Sequence, residues 1–264
     1  SNGLKACYEE LVSDNTVKAI VITGHGKFFM AGADIPNLAK LQAMAIRSGR
    51  KDALDDFIKA GHVVFNRIEN GPKPVVAAIN GPTLGGGCEL AMACNARVAL
   101  KSSKFSLPEL KLGLIPGLGG TQRLPRLIGL EDAVKYTLSG RSIKAPVAYK
   151  KGLVDILVKK PKDLIQEASK LALMIANNPS KRKLSLYATD KIGPIPEGQV
   201  VIQAARLKVK RKSPNVPHPQ AYLDAVEAGL LYGGDKGIDK EIEKFAQVAP
   251  SVTGRALVHM FLSS

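Results

Sequence analysis

Three consecutive glycines, Gly85-Gly86-Gly87, restrict the fold of this chain more than any other feature. They separate an unbroken apolar run, Val75-Val76-Ala77-Ala78-Ile79, from the stretch Cys88–Ala93, in which Glu89 is the one charged residue. The apolar run follows Pro72-Lys73-Pro74 and is closed by Gly81-Pro82, so it reads as a buried strand. The stretch after the glycines reads as an apolar helix. Glycine lacks a Cβ, so a strand-to-helix turn built from it can bend tightly and bring backbone close to a ligand. A helix start also presents N–H groups with no intrahelical acceptor and a partial positive charge. Such a turn suits a developing oxyanion, with Glu89 in the first helical turn beside it. A plain glycine turn, with a glutamate favoured at a helix N-terminus, accounts for these ten residues equally well.

The rest of the chain supplies more of the same alternation. Residues 4–13 look like the end of an amphipathic helix, and Val17–Thr23 is a short strand closed by Gly24. A polar, helix-forming stretch covers roughly 37–69, with a basic centre at Arg47, Arg50 and Lys51. Ala96–Leu100 is a third strand and Val154–Val158 a further one. Strands alternating with helices give an α/β class. Around Pro179–Pro196 the composition turns to Lys, Ser and Pro, which marks a linker or domain edge, and residues 198–264 read as several helices.

Two further segments carry candidate chemistry. Ala31-Gly32-Ala33-Asp34 is a small-residue loop that leaves the N–H of Ala33 accessible as a second oxyanion donor, with Asp34 holding the loop. Leu107-Pro108-Glu109 precedes Gly113-Leu114-Ile115-Pro116-Gly117-Leu118-Gly119-Gly120-Thr121. Pro108 restricts the residue before it and stiffens the loop that aims Glu109. A lone glutamate on a loop is ordinarily solvated surface. Glu109 gains weight from the other two elements.

Composition bounds the function. The apolar fraction of 45% supports a real core within 264 residues, and the absence of Trp makes that core mostly aliphatic. No apolar run is long enough to cross a bilayer. Three cysteines, Cys7, Cys88 and Cys94, cannot all pair, which fits free thiols in a reducing compartment. No Cys/His cluster has metal-ligand spacing, so no metal is expected. A net charge of +15 favours anionic partners.

The segments GGGCELAMAC, PELKLGLIPGLGGTQRLPR and AGADI, in this order and spacing, resemble the enoyl-CoA hydratase/isomerase, or crotonase, family. The resemblance covers about residues 4–195 and implies the crotonase-type spiral of ββα repeats. Matched residue by residue, it implies Glu89 and Glu109 as an acid/base pair, Ala33 and Gly86 as oxyanion donors, and Gly117 near the catalytic water. It also implies Asp34 and Gly85 beside the substrate. Ser213-Pro214-Asn215-Val216-Pro217-His218-Pro219 and Gly254–His259 are similar to multifunctional β-oxidation proteins, the peroxisomal plant type most of all. There, a helical linker joins this part to a 3-hydroxyacyl-CoA dehydrogenase part. The expected organisation is therefore a hydratase/isomerase domain over 1–195 and a helical extension over 196–264 toward that dehydrogenase.

The hairpin that the family carries before the first helix is missing, so the chain is expected to be a fragment. No GxGxxG occurs, so no NAD site or other cofactor is expected, acyl-CoA being the substrate. The resemblance implies syn hydration of a 2-enoyl-CoA, with 3-enoyl-CoA isomerisation as a second or competing activity. It implies a peroxisomal setting, or a bacterial cytoplasm. Lys27, Lys40, Lys101 and Lys104 are candidates for the CoA phosphates, each also explicable as solvated surface. The basic tail cluster Arg206-Lys208-Lys210-Arg211-Lys212 keeps a different class open, RNA binding, and a scaffold role is a third. Cys88, His218 and His259 are expected to be structural.

Overall fold

The computed structural model describes residues 2–32, 36, 39–40, 43 and 52–262. In chain order its elements are α1 (Asn2–Ser13), β1 (Ile20–Thr23), α2 (Asp52–Asn70), β2 (Val75–Ile79), β3 (Thr83–Leu84), α3 (Gly86–Ala93), β4 (Ala96–Leu100) and β5 (Lys104–Ser106). After a 3-10 turn at Glu109–Leu112 come α4 (Gly120–Ile128), α5 (Leu130–Ser139), β6 (Ile143–Lys144), α6 (Ala145–Lys151), β7 (Ile156–Val158) and α7 (Leu164–Asn177). Helices α8 (Ile195–Lys212), α9 (His218–Tyr232), α10 (Gly234–Val248) and α11 (Val252–Leu262) follow.

Four strands form a parallel sheet in the order β1-β2-β4-β7. A parallel sheet is covered on both faces, so its central strands are apolar throughout rather than alternating. Strand β2 obeys this: all five residues are buried. Its odd residues join one core with α3, and Val76 and Ala78 join another with α7. Strand β4 is equally buried although it contains Arg97. That guanidinium is satisfied locally, donating to the carbonyls of Leu153 at 2.6 Å and Cys94 at 2.7 Å and facing Asp155. It thereby collects a carbonyl left open at the C-terminal end of α3.

The first strand is shorter than Val17–Thr23. Val17 donates to Asp14 in a turn, and the strand begins at Ile20, with Val21 and Ile22 half-buried and Thr23 exposed. Its place at the sheet edge explains the lighter burial. The last predicted strand also starts later, at Ile156, because Leu153 and Val154 bond back to α6. The helix expected over 37–69 is described from Asp52; the basic centre at Arg47, Arg50 and Lys51 lies outside the described residues.

The second, small sheet runs β3-β5-β6, with β3 parallel to β5. It ties the glycine turn to the segment leading to Glu109. The 179–196 stretch carries two 3-10 turns and is fastened to the core: the Leu186 N–H donates to Glu69 at 2.9 Å, and the Ser185 hydroxyl to the Met92 carbonyl. Helices α8 to α11 build a core of their own around Tyr222, Leu223, Val226 and Phe245, which also takes in Leu110, Leu114 and Ile115.

Candidate active site

The glycine turn begins where Gly85 adopts φ 52° and ψ −127°, a conformation open to glycine alone. Its N–H donates to the Ser106 carbonyl at 2.9 Å, which holds the turn against β5. A Cβ on Gly85 would stand 2.7 Å from Glu109 Oε1, so this glycine faces the second carboxylate directly. Gly86 is the first residue of α3, and its N–H lies in the group that no intrahelical carbonyl can reach. Glu89 follows in the first turn, 2% exposed.

The small-residue loop arrives at the same place. Met30 pairs with Thr83, the Leu84 N–H donates to the Met30 carbonyl, and Gly32 lies against the Leu84 carbonyl and Gly85. Ala33 and Asp34 themselves lie outside the described residues.

Glu109 opens the 3-10 turn, with Pro108 as its cap and Gly113 closing it at φ 73°. Glu109 Oε2 is buried and has no hydrogen-bond partner. Glu89 stands in the opposite condition. Its Oε1 accepts N–H bonds from Leu118 and Gly120, both at 2.8 Å. Burial pushes the Glu89 carboxyl well above the ordinary carboxylate range, the nearby charges of Glu109 and Glu241 push it further, and the two N–H bonds pull it back. Burial pushes Glu109 up to about 8; its own backbone N–H pulls it back and the charge of Glu241 adds to the rise. Hydrogen bonds donated to a carboxylate favour its charged form, and an unpartnered buried oxygen penalises it. By hydrogen bonding Glu89 is the member better fitted to carry the charge, whereas its deeper burial and the charge of Glu109 favour a proton on it. The pair therefore holds a proton between them, and the two N–H bonds let Glu89 give it up when substrate and water enter. Two carboxyls in unlike surroundings with divided protonation can act as base and acid on one substrate.

Gly117 does not supply either grip on Glu89; the donors are its neighbours Leu118 and Gly120. The Gly117 backbone packs against Phe245 and Ile58, where a Cβ would come within 2.8 Å of the phenyl ring. Behind the turn, Arg123 donates to Glu69 at 2.7 and 3.0 Å and to the Leu118 carbonyl at 3.2 Å, all inside the core. A residue that sequence reasoning missed completes the group. Glu241 of α10, wholly buried, accepts from the Gly119 N–H at 2.6 Å, the Thr121 N–H at 3.0 Å and the Thr121 hydroxyl at 2.6 Å. It lies 122 residues beyond Gly119, on an exposed-looking GDKGIDKEIEK helix, so no local pattern singles it out.

Other candidates take no part in this cluster. Cys88 is core, and burial together with Glu109 and Glu89 pushes its thiol far up. His218 is buried under the 3-10 turn. Lys27, Lys40, Lys101 and Lys104 are exposed. In the basic tail, Arg206 is spent on Asp224 and Glu227, while Lys208, Lys210, Arg211 and Lys212 face solvent. Among the described residues no set of His, Cys, Asp and Glu is arranged to hold a metal ion, and no helix is long and apolar enough to cross a membrane.

Comparison with known proteins shows the family to which the chain belongs. The enoyl-CoA hydratase/isomerase family profile matches residues 2–188. The chain is 42% identical over 261 residues to a peroxisomal fatty acid beta-oxidation multifunctional protein of Oryza sativa subsp. japonica, covering 99% of this chain and 35% of that protein. It is 36% identical over 260 residues to the fatty acid oxidation complex subunit alpha of Shewanella halifaxensis, covering 97% and 36%. Thus it spans about a third of the length of the curated relatives it matches. Among solved structures, an enoyl-CoA hydratase from Bacillus anthracis superposes with a TM-score of 0.60 at 32% identity, covering 84% of each chain.

Proposed function

Since the chain belongs to the enoyl-CoA hydratase/isomerase family, we propose that its carboxylate pair adds water across the C2–C3 double bond of a 2-enoyl-CoA thioester. The observation that carries this reading is the unequal treatment of the two acids. Glu89 is held by two N–H groups, whereas Glu109 faces Gly85 with Oε1 and keeps its buried Oε2 unpartnered.

In an enoyl thioester the carbonyl is conjugated to the double bond, so C3 becomes electrophilic only as the carbonyl oxygen takes up charge. The Gly86 N–H, at the start of α3, is one donor for that oxygen, and the N–H of Ala33 is the other. Such donors are worth about 3 kcal/mol each when removed. Glu89 orients the water and takes its proton as the oxygen bonds to C3. Glu109 steadies the same water and gives its proton to C2 on the same face. The product is the 3-hydroxyacyl-CoA, and the pair regains its single shared proton by transfer from Glu89 back to Glu109. Gly85 keeps this space clear for substrate, since a side chain there would strike Glu109.

Isomerisation of a 3-enoyl-CoA needs one ionised carboxyl that takes a proton from C2 and returns it to C4, which Glu109 can do when the pair's shared proton resides on Glu89. It is the second activity of this reading. The names of the relatives, a fatty acid beta-oxidation multifunctional protein and a fatty acid oxidation complex subunit, support fatty-acid β-oxidation as the setting. The plant relatives support a peroxisomal location and the bacterial ones a different compartment. The length of those relatives supports a larger polypeptide, with a dehydrogenase part as this chain's partner and any dinucleotide held there.

The test is the loss of the conjugated-enoyl absorbance of crotonyl-CoA, for wild type beside Glu89→Gln and Glu109→Gln. General acid–base groups contribute about 10²–10⁴-fold, so each variant is expected to lose at least that much kcat. Glu89→Gln is expected to keep isomerisation better than hydration. A folded wild type that binds acyl-CoA without consuming crotonyl-CoA overturns the hydratase reading.

A further inference from the structure

We propose that Glu241 is a positioning residue for this chemistry, and that helix α10 therefore belongs to the catalytic apparatus. The inference deepens the reading above and rests on it for the identity of the reaction.

Four successive backbone N–H groups form the turn into α4, and they go alternately to two carboxylates. Leu118 and Gly120 donate to Glu89; Gly119 and Thr121 donate to Glu241. Consecutive N–H groups at a helix start make a concave, partially positive site that favours anions. Here one such site is shared between a carboxylate placed for chemistry and another brought from the far end of the chain. The glycines make the sharing possible. Gly119 sits at φ 97°, and a Cβ on Gly120 would stand 2.8 Å from Glu89 Oε1. The direction in which Leu118 and Gly120 point is therefore set by what holds Gly119 and Thr121. That holder is Glu241, with three donated bonds on its two oxygens.

Among the described residues no lysine or arginine forms a salt bridge with it. His62 Nε2 from α2 stands 3.4 Å from Glu241 Oε1, and neither His62 nitrogen makes a hydrogen bond. Arg123 from α4 is committed to Glu69. Glu89 from α3, Glu109 from the 3-10 turn and the phenol of Tyr222 from α9 all feel its charge. Gln122, wedged between Gly229 of α9 and Gly237 of α10, donates to Thr121 Oγ1 at 2.9 Å and fixes the helix pair against this turn. Burying a third carboxylate beside two working ones is unfavourable by like-charge repulsion. It is tolerated because the charge is used twice, to hold the turn and to keep the proton on the pair.

Removing the charge and keeping the shape should release both effects. Glu241→Gln is expected to lower kcat for crotonyl-CoA about 10- to 100-fold, the scale of a small misplacement of a catalytic group, with KM nearly unchanged. Its alkaline limb should also move to lower pH, because the like charge that raised the pair is gone. The same variant is examined by carbon NMR titration of labelled Glu89 and Glu109 carboxyls, which needs no turnover. A downward shift of the pair's titration supports the inference even where crotonyl-CoA proves to be the wrong substrate. A folded Glu241→Gln with unmoved titration and wild-type kcat overturns it, whatever the fate of the hydratase reading. If that variant does not fold, Thr121→Val removes one of the three donors with little change of volume. A fall in kcat at constant KM, or displaced Glu89 and Glu109 carboxyl signals, then supports the inference, and their constancy overturns it.

Discussion

The segment from β2 to the start of α4 and the helical segment from α8 to α11 contribute to one site in opposite ways. The first places its chemistry by local rules. A buried strand ends, glycines turn the chain, and Glu89 stands in the first turn of the next helix because the turn is there. The second places a single group by packing alone. Glu241 reaches the site because α10 lies against α4 and Gln122 locks the helix pair in register. Nothing around Glu241 in sequence differs from an ordinary charged surface helix. A site can therefore have its reactive groups written in contiguous motifs while the groups that orient them are supplied from a distant layer.

That contrast can be broken at the glycine turn, where the largest effect is expected. Gly85→Ala forces a side chain into φ 52° and to within 2.7 Å of Glu109 Oε1. Backbone strain of this kind costs about 1–3 kcal/mol, and the displaced acid should lose about 100-fold in kcat. Crotonyl-CoA kinetics beside a thermal melt check both. If Gly85→Ala keeps wild-type kcat, local backbone geometry does not place Glu109.

A smaller effect separates charge from geometry within the first segment. The folded Glu109 carboxyl lies near 8, above its usual value of 4.5. The folded state therefore holds a proton that the unfolded chain has released, and the stability that this proton supports is lost as pH rises from about 4.5 through about 8. Wild type should melt lower at pH 9 than at pH 5 by more than Glu109→Gln does. The gap is expected at a few degrees, since about 1 kcal/mol moves a midpoint by roughly 2–4 °C for 150–250 residues. Equal pH dependence in the two proteins sinks the assignment. In the proposed reaction kcat is expected to fall as pH passes about 8, because an ionised Glu109 has no proton to deliver.

The smallest effect belongs to the surface of the helical segment. Lys208→Ala and Lys210→Ala remove charges exposed on α8. Surface substitutions of this kind stay within about 0.5 kcal/mol, and kcat at saturating substrate should not change. A loss of kcat comparable to that of Glu241→Gln would mean that the tail acts through its charge as a whole and not through one buried residue.

Much of the architecture was legible because it obeys short-range physics. The strands Val75–Ile79 and Ala96–Leu100 form where apolar runs end at turn residues, and α3 begins at the glycines. Strand β1 is shorter than the apolar run Val17–Thr23 because it lies at the sheet edge with one neighbour and is only partly buried. Arg97 illustrates the converse: a charge inside an apolar run did not break the strand, as its five donors found carbonyls and Asp155 nearby.

The sequence by itself determined the candidates. Glu89 and Glu109 stand on turns encoded in the glycine and proline beside them, and the family resemblance of those segments singles out the two carboxylates. Tertiary structure alone decided how they differ. The N–H donors of Glu89 belong to Leu118 and Gly120, the bare oxygen of Glu109 is a fact of packing, and Glu241 arrives from α10. Protonation depends on desolvation and on charges across space, and neither is a property of neighbouring positions in a chain.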